Sequence, residues 1–139
     1  MALSTRSPLT GYALAALGGV LGALARWGVA RALHSPAGGW PWATLLVNVT
    51  GCALIGLLLA VLPARFPTSP WLRPFLATGV LGGYTTFSTF AVDAVRLADG
   101  GAPGRALGYV LASVLGGLGA VVAGLTAGRA LLRPGEDAR

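Results

Sequence analysis

The chain has 139 residues, of which 55% are hydrophobic and only 10% charged, with a mean hydropathy of +0.74. A soluble domain carries roughly 25% charged residues, so this composition predicts an integral membrane protein. The net charge is +6, and all ten basic residues are arginine. There is no lysine, and the arginines are scattered between apolar segments, which suits membrane flanks and not a nucleic-acid surface. Cys52 is the single cysteine, so no intrachain disulfide and no oxidising compartment is implied.

Four apolar segments, residues 10–33, 41–62, 71–97 and 104–132, are predicted to span a bilayer within one integral membrane domain covering residues 1–139. Arg6 ahead of the first segment and Ala23-Leu24-Ala25 inside it give a faint signal-peptide pattern. The apolar stretch is too long for that and further spans follow, so it is kept as a span. Gly18 and Gly22 form a G-x-x-x-G pair that lets another helix approach closely. Arg26 falls before the end of the span, where a guanidinium must snorkel, pair or face water. Beside Trp27 it is either an interface anchor or the positive lining of an anion vestibule. His34, alone in the next loop, is read as inert, and the loop Ser35-Pro36-Ala37-Gly38-Gly39 as a turn.

Trp40 and Trp42 mark the interface before the second span. Thr44 and Asn48 are four residues apart and share a helix face. An asparagine deep in a membrane helix is costly unless its amide is used. It either bonds a neighbouring helix or offers an N–H donor to a passing anion. Residues 63–70 hold three prolines and form a rigid connector, with Ser69 placed to cap a helix starting at Pro70.

The third span contains Leu81-Gly82-Gly83-Tyr84-Thr85-Thr86-Phe87-Ser88-Thr89-Phe90. Two glycines followed by β-branched, aromatic and hydroxylated residues make poor helix. At membrane depth a broken helix is tolerated only where protein or a wet cavity covers it, and its freed backbone groups become ion ligands. A break near residues 82–86 is therefore expected, against a kinked continuous helix whose glycines serve packing. Asp93 and Arg96, three apart, are expected to pair near the far surface. A turn over residues 99–104 leads to the fourth span. There Tyr109, Ser113 and Gly117 recur every four residues, and Gly124 and Gly128 form a second close-approach pair. Ser113 is expected either to bond its own i−4 carbonyl or to face a polar path. Residues 133–139 read as a polar tail.

With four spans, Arg6, Arg65, Arg73, Arg129, Arg133 and Arg139 fall on one side and Arg26, Arg31, Arg96 and Arg105 on the other. So small a bias sets no firm orientation, and such a chain can insert both ways. The spans lack a central acid or histidine of the kind that relays protons. One histidine, one cysteine and four carboxylates make neither a metal cluster nor a hydrolytic triad. The neutral donors Thr44, Asn48, Ser88, Thr89 and Ser113 suit a small anion, as do arginines near the ends. Four short spans hardly enclose a pore alone, and the abundant glycine suggests association, most simply a two-fold dimer.

The run Gly82-Gly83-Tyr84-Thr85-Thr86-Phe87-Ser88-Thr89-Phe90 closely resembles the G-G-x-T-T-F-S-T-F motif of the bacterial Fluc/CrcB fluoride channels. Residues 18–27, with Gly18, Gly19, Gly22, Ala23, Arg26 and Trp27, resemble that family's first-span motif. Thr44, Val47, Asn48 and Gly51 match its T-x-x-V-N-x-x-G. The resemblance covers nearly the whole chain.

It implies an all-α membrane protein of four transmembrane helices, the third broken at its centre, paired as an antiparallel, dual-topology homodimer with two fluoride pores. It implies that Phe87 and Phe90 present electropositive ring edges to fluoride and that Asn48 donates its amide. Thr44, Ser88, Thr89, Tyr109 and Ser113 would mark a polar track, with Arg26 in the vestibule. The resemblance further implies a structural sodium ion at the dimer interface, held by the Gly82 and Thr85 carbonyls of both copies. Asp93 matches an acid that commonly follows the last phenylalanine. Gly117 departs from the pattern where another hydroxyl would continue the track, and Tyr84 occupies a variable place.

The implied partners are fluoride, sodium, the lipid bilayer and a second copy of the chain, in a bacterial cytoplasmic membrane. Passive export is physically sufficient: hydrogen fluoride enters neutral, ionises inside, and about 2.3 kcal/mol per charge per 100 mV drives the anion out. Two rival functions are a dual-topology proton-coupled multidrug exporter, which needs an embedded glutamate, and a non-transporting scaffold, which leaves Asn48 and the Thr85–Phe90 run without a role.

Overall fold

A computed structural model describes residues 8–33 and 38–132. His34, the Ser35–Ala37 part of the first turn, Arg6 and the 133–139 tail lie outside the described residues. The described chain is helical: α1 is Pro8–Ala32, α2 Trp42–Arg65, α4 Phe87–Asp99 and α5 Pro103–Leu132. Between α2 and α4 lies α3, a π-wound run Arg73–Leu81 continued by one α-helical turn, Gly82–Tyr84. Taking α3 and α4 as one bent element, four helices are long and apolar enough to cross a bilayer.

Two helix pairs form the frame. α2 packs along α5, and α1 packs along α3. Glycine permits both contacts. A Cβ added at Gly124 of α5 would stand 2.9 Å from the Leu57 nitrogen, and one at Gly56 of α2 would stand 2.9 Å from the Leu125 nitrogen. Likewise a Cβ at Gly22 of α1 would stand 2.7 Å from the Tyr84 nitrogen. Backbone therefore meets backbone, and the contact is made by dispersion and weak Cα–H···O bonds and not by large side chains. The small buried cluster lies at the far end: Leu97, Ala106 and Tyr109, with Trp40, Leu45, Phe90 and Ala94 packed around it.

The connectors differ from expectation at two points. α2 runs through Pro63 to Arg65, since a proline in the last turn removes only one donor near the helix end. Ser69 caps nothing: the next helix starts at Arg73, with Leu72 preceding it and no side-chain cap.

The break falls within the expected residues 82–86, at the β-branched part of that run and not at its glycines. Gly82 is fully helical (φ −63°, ψ −35°), and Gly83 lies against the backbone of Gly19. The chain leaves helical geometry at Thr85 (φ −74°, ψ 160°) and Thr86 (φ −150°, ψ 122°), both extended, and re-enters at Phe87. Gly83 brings α3 close to α1; the β-branched pair Thr85 and Thr86 makes the break.

Replacing Gly124 with valine is expected to destabilise the protein by about 1–3 kcal/mol through overpacking. Gly119→Ala, whose Cβ meets nothing within 4 Å, is expected to be near neutral. Denaturant titration followed by circular dichroism measures both.

Candidate functional site

The site is built around two extended residues inside an apolar span. Extended backbone leaves its polar groups without helical partners, and in apolar surroundings each must be satisfied by something else. Asn48, from the second turn of α2, supplies most of that. Its Nδ2 donates to the Thr86 carbonyl at 2.9 Å, and its Oδ1 accepts the Thr86 N–H at 2.8 Å. Thr86 then caps α4: its Oγ1 accepts the Thr89 N–H at 3.2 Å and donates to Thr89 Oγ1 at 3.0 Å. Ser88 Oγ lies 3.3 Å from the same Thr86 oxygen. From α1, Arg26 Nη1 reaches the Thr85 carbonyl at 3.3 Å.

Two backbone carbonyls are released by this arrangement. Gly82 has lost both of its possible helical donors, because Thr85 N–H bonds Leu81 at 2.9 Å and Thr86 N–H bonds Asn48. Thr85 has lost its i+4 donor, because Thr89 N–H goes to the Thr86 side chain.

A second polar group lies further along α4. Thr44 Oγ1 donates to Asp93 Oδ2 at 2.7 Å, so Asp93 turns inward to α2. Among the described residues no ion pair joins it to Arg96, contrary to expectation. Tyr109 is completely buried, with its ring 5.4 Å from Phe90 and, edge-on, 5.9 Å from Trp40. The Tyr109 hydroxyl faces Thr44, Ser113 and Asp93, yet neither it nor Ser113 Oγ has a partner at hydrogen-bonding geometry. Ser113 thus does not bond its own helix.

Phe87 opens α4 with its residue surface 80% exposed, and Phe90 follows one turn on with ring centroids 5.8 Å apart. A groove of about 450 Å³ runs beside them, lined by Asn48, Cys52, Thr86, Phe87, Phe90 and Ser113 among others. Where the stripe on α5 reaches Gly117, a Cβ would stand 3.3 Å from Cys52 Sγ, so a thiol from α2 lies beside the place where a further hydroxyl was sought.

The structure therefore gathers the sequence-selected residues into three sets. Asn48, Ser88, Thr89 and Arg26 meet at the break. Thr44, Asp93 and Ser113 gather around the Tyr109 hydroxyl. Phe87 and Phe90 line the groove between. Thr86 was missed as the centre of the first set, although a threonine three residues before Thr89 and directly ahead of an amphipathic run is a legible helix cap.

Fold and site together define a small multi-pass membrane protein whose polar side chains converge on an interruption in its third span. A family model described as "CrcB-like protein, Camphor Resistance (CrcB)" matches residues 13–125, and the chain belongs to this family. A Paracoccus denitrificans relative named "Fluoride-specific ion channel FluC" is 52% identical over 116 residues, 84% of this chain and 92% of the relative. A Bordetella petrii protein of the same name is 47% identical over 127 residues, 91% and 97% of the two chains. A Streptomyces avermitilis protein named "Fluoride-specific ion channel FluC 2" is 48% identical over 102 residues, 73% of this chain and 65% of that longer one.

Replacing Asn48 with alanine leaves two backbone groups of Thr86 unpaired, each worth about 1–3 kcal/mol when buried. The variant is expected to melt at lower temperature and to exchange the Thr86 amide faster, as read by hydrogen–deuterium exchange on the peptide spanning the break.

Proposed function

We propose that this chain is a passive, fluoride-selective anion channel that exports fluoride from the cytoplasm and lowers its toxicity. Its relatives carry the name of an ion channel and not of an enzyme. The observation that carries the reading is the Asn48–Thr86 clamp at a helix break that sets the exposed Phe87 beside a groove.

The chemistry follows from neutral donors. Asn48 Nδ2 has a second proton beyond the one given to Thr86, and a neutral amide holds an anion weakly enough to release it. The electropositive edges of Phe87 and Phe90 replace part of the hydration shell without adding a cation. The free hydroxyls of Tyr109 and Ser113 extend the donor path, while Thr44 is engaged by Asp93 and Ser88 and Thr89 gather round the cap. Arg26, half-buried, raises the local anion concentration near the break. Charge on the protein therefore attracts the anion, and neutral dipoles pass it.

A second copy in antiparallel orientation is part of the proposal. Only 11–22% of each span's most apolar window is buried within one chain, and the exposed Phe87 ring needs a covering surface. The near-even arginine distribution is compatible with insertion both ways.

The Gly82 and Thr85 carbonyls fit a sodium ion. Both are hard oxygen donors freed from the helix, and two copies about a two-fold axis supply four. The long Arg26 contact to Thr85 occupies one lone pair of that oxygen and leaves the other. Bound there, sodium would act as a structural cation.

Fluoride efflux from liposomes containing the purified protein tests the reading. A potassium gradient with valinomycin sets the voltage and a fluoride electrode reads release. Fast voltage-driven release that excludes chloride is expected. Release that needs a proton gradient, or none from folded protein, would reject passive conduction. Phe87→Ile, which keeps the bulk and removes the ring edge, is expected to lower fluoride release by more than tenfold while the dimer persists in size-exclusion chromatography. Exhaustive replacement of sodium by a large organic cation is expected to lower the dimer's melting temperature. An indifferent melting curve would remove Gly82 and Thr85 as ligands.

A further inference from the structure

Tyr84 and Thr50 belong to none of the sets above, yet they meet at the break. Thr50 Oγ1 lies 3.0 Å from Tyr84 Oη, 2.7 Å from the Leu46 carbonyl oxygen and 3.2 Å from that of Val47. A threonine hydroxyl has one proton. The backbone carbonyls of its own helix can only accept it, so Tyr84 is the donor in the remaining contact. The chain of bonds runs from the Tyr84 hydroxyl to Thr50, and from the Thr50 hydroxyl to α2's own backbone.

Tyr84 is the last helical residue before the break. Two residues later, Thr86 is held by Asn48 of the same helix, α2. Between them, Thr85 is reached by Arg26 from α1, and its Cγ2 methyl fills the space beside Gly51 that a Cβ there would occupy. Three consecutive residues are thus each tied to another helix, and α2 grips the chain on both sides of Thr85.

We propose that Tyr84 and Thr50 are a positioning pair: with Asn48 they bracket Thr85, and so set the direction of its carbonyl and the start of α4 that carries Phe87 and Phe90. The inference rests on the channel reading, and extends it to two residues at positions that reading leaves without a role. Without the phenol, residue 84 swings about a single anchor, and the rings on α4 lose their registration with the groove.

The test uses the full chain, reconstituted as for the efflux measurement, in four variants: Tyr84→Phe, Thr50→Val, Thr50→Ser and the double variant Tyr84→Phe/Thr50→Val. One hydrogen bond of this kind corresponds to about a three- to tenfold effect. Tyr84→Phe and Thr50→Val are each expected to lower fluoride release by that factor. The double variant should fall no further, and Thr50→Ser, which keeps the oxygen, should match the wild type. Amide exchange at Thr85 and Thr86 is expected to quicken in the same variants and to remain slow in Thr50→Ser.

Wild-type release and exchange in Tyr84→Phe overturn the proposal. So does additive loss in the double variant, or a lower melting temperature with unchanged release per folded protein, which marks a merely structural contact. If the wild type releases no fluoride the channel reading fails, and amide exchange alone then decides the pair: faster exchange upholds the tether and unchanged exchange overturns it.

Discussion

Asn48 meets the backbone of Thr86 twice, giving a proton to its carbonyl and taking one from its N–H. The pairing imitates a fragment of a β-ladder with a side chain standing in for the second strand. An apolar span cannot leave peptide groups unpaired, since each exposed group costs several kcal/mol in hydrocarbon. A break in such a span therefore exists only where another helix carries a group able to answer both ends of a peptide unit. Among side chains, an amide does this with fixed geometry and without charge. The other features of the site depend on that substitution. Gly82 is released because Thr86 N–H is taken, and α4 begins at Phe87 because Thr86 is free to cap it.

The glycines belong to a different task. Those of α1 and α3, and those of α2 and α5, remove side chains where two backbones touch. This gives two rigid helix pairs whose relative placement fixes the ends of the break. Arg26 on α1 and Asn48 on α2 come from opposite pairs and meet at adjacent residues, Thr85 and Thr86. The break is thus anchored to both halves of the frame, so a loosened contact in either half displaces it.

The four spans and the broken third were legible because hydropathy and helix propensity act locally. The sharing of a face by Thr44 and Asn48 followed from helical periodicity, and their side chains reach α4 at Asp93 and its capping residue Thr86. What was not legible needed tertiary information. The double glycine at 82–83 and the β-branched residues after it read together as the cause of the break, because all of them lower helix propensity. Gly83 in fact lies against the Gly19 backbone, from a segment more than sixty residues away. Asp93 read as a surface partner of Arg96 because i,i+3 spacing permits it, and the hydroxyl of Thr44 offered the better-placed bond. Cys52 could not be linked to Gly117 from sequence, since nothing local sets the register between α2 and α5.

The distribution of charge relates the structure to the proposed transport. Among the described residues, Arg26 and Asp93 are the ionisable side chains bonded at or beside the break: Arg26 donates to the Thr85 carbonyl, and Asp93 accepts from the Thr44 hydroxyl. A guanidinium aimed directly into a narrow apolar groove would hold a small anion too firmly to let it pass, because Coulomb energies rise steeply as the effective dielectric falls. Tying both ions to neutral partners leaves amide, hydroxyl and ring-edge dipoles as the groups facing the groove. Each is weaker than an ion pair, and several in series can exchange an anion between them at small cost. On the proposed channel reading Asn48 would serve two ends at once: one amide proton is given to the Thr86 carbonyl at the break, and the other would be left for a passing anion.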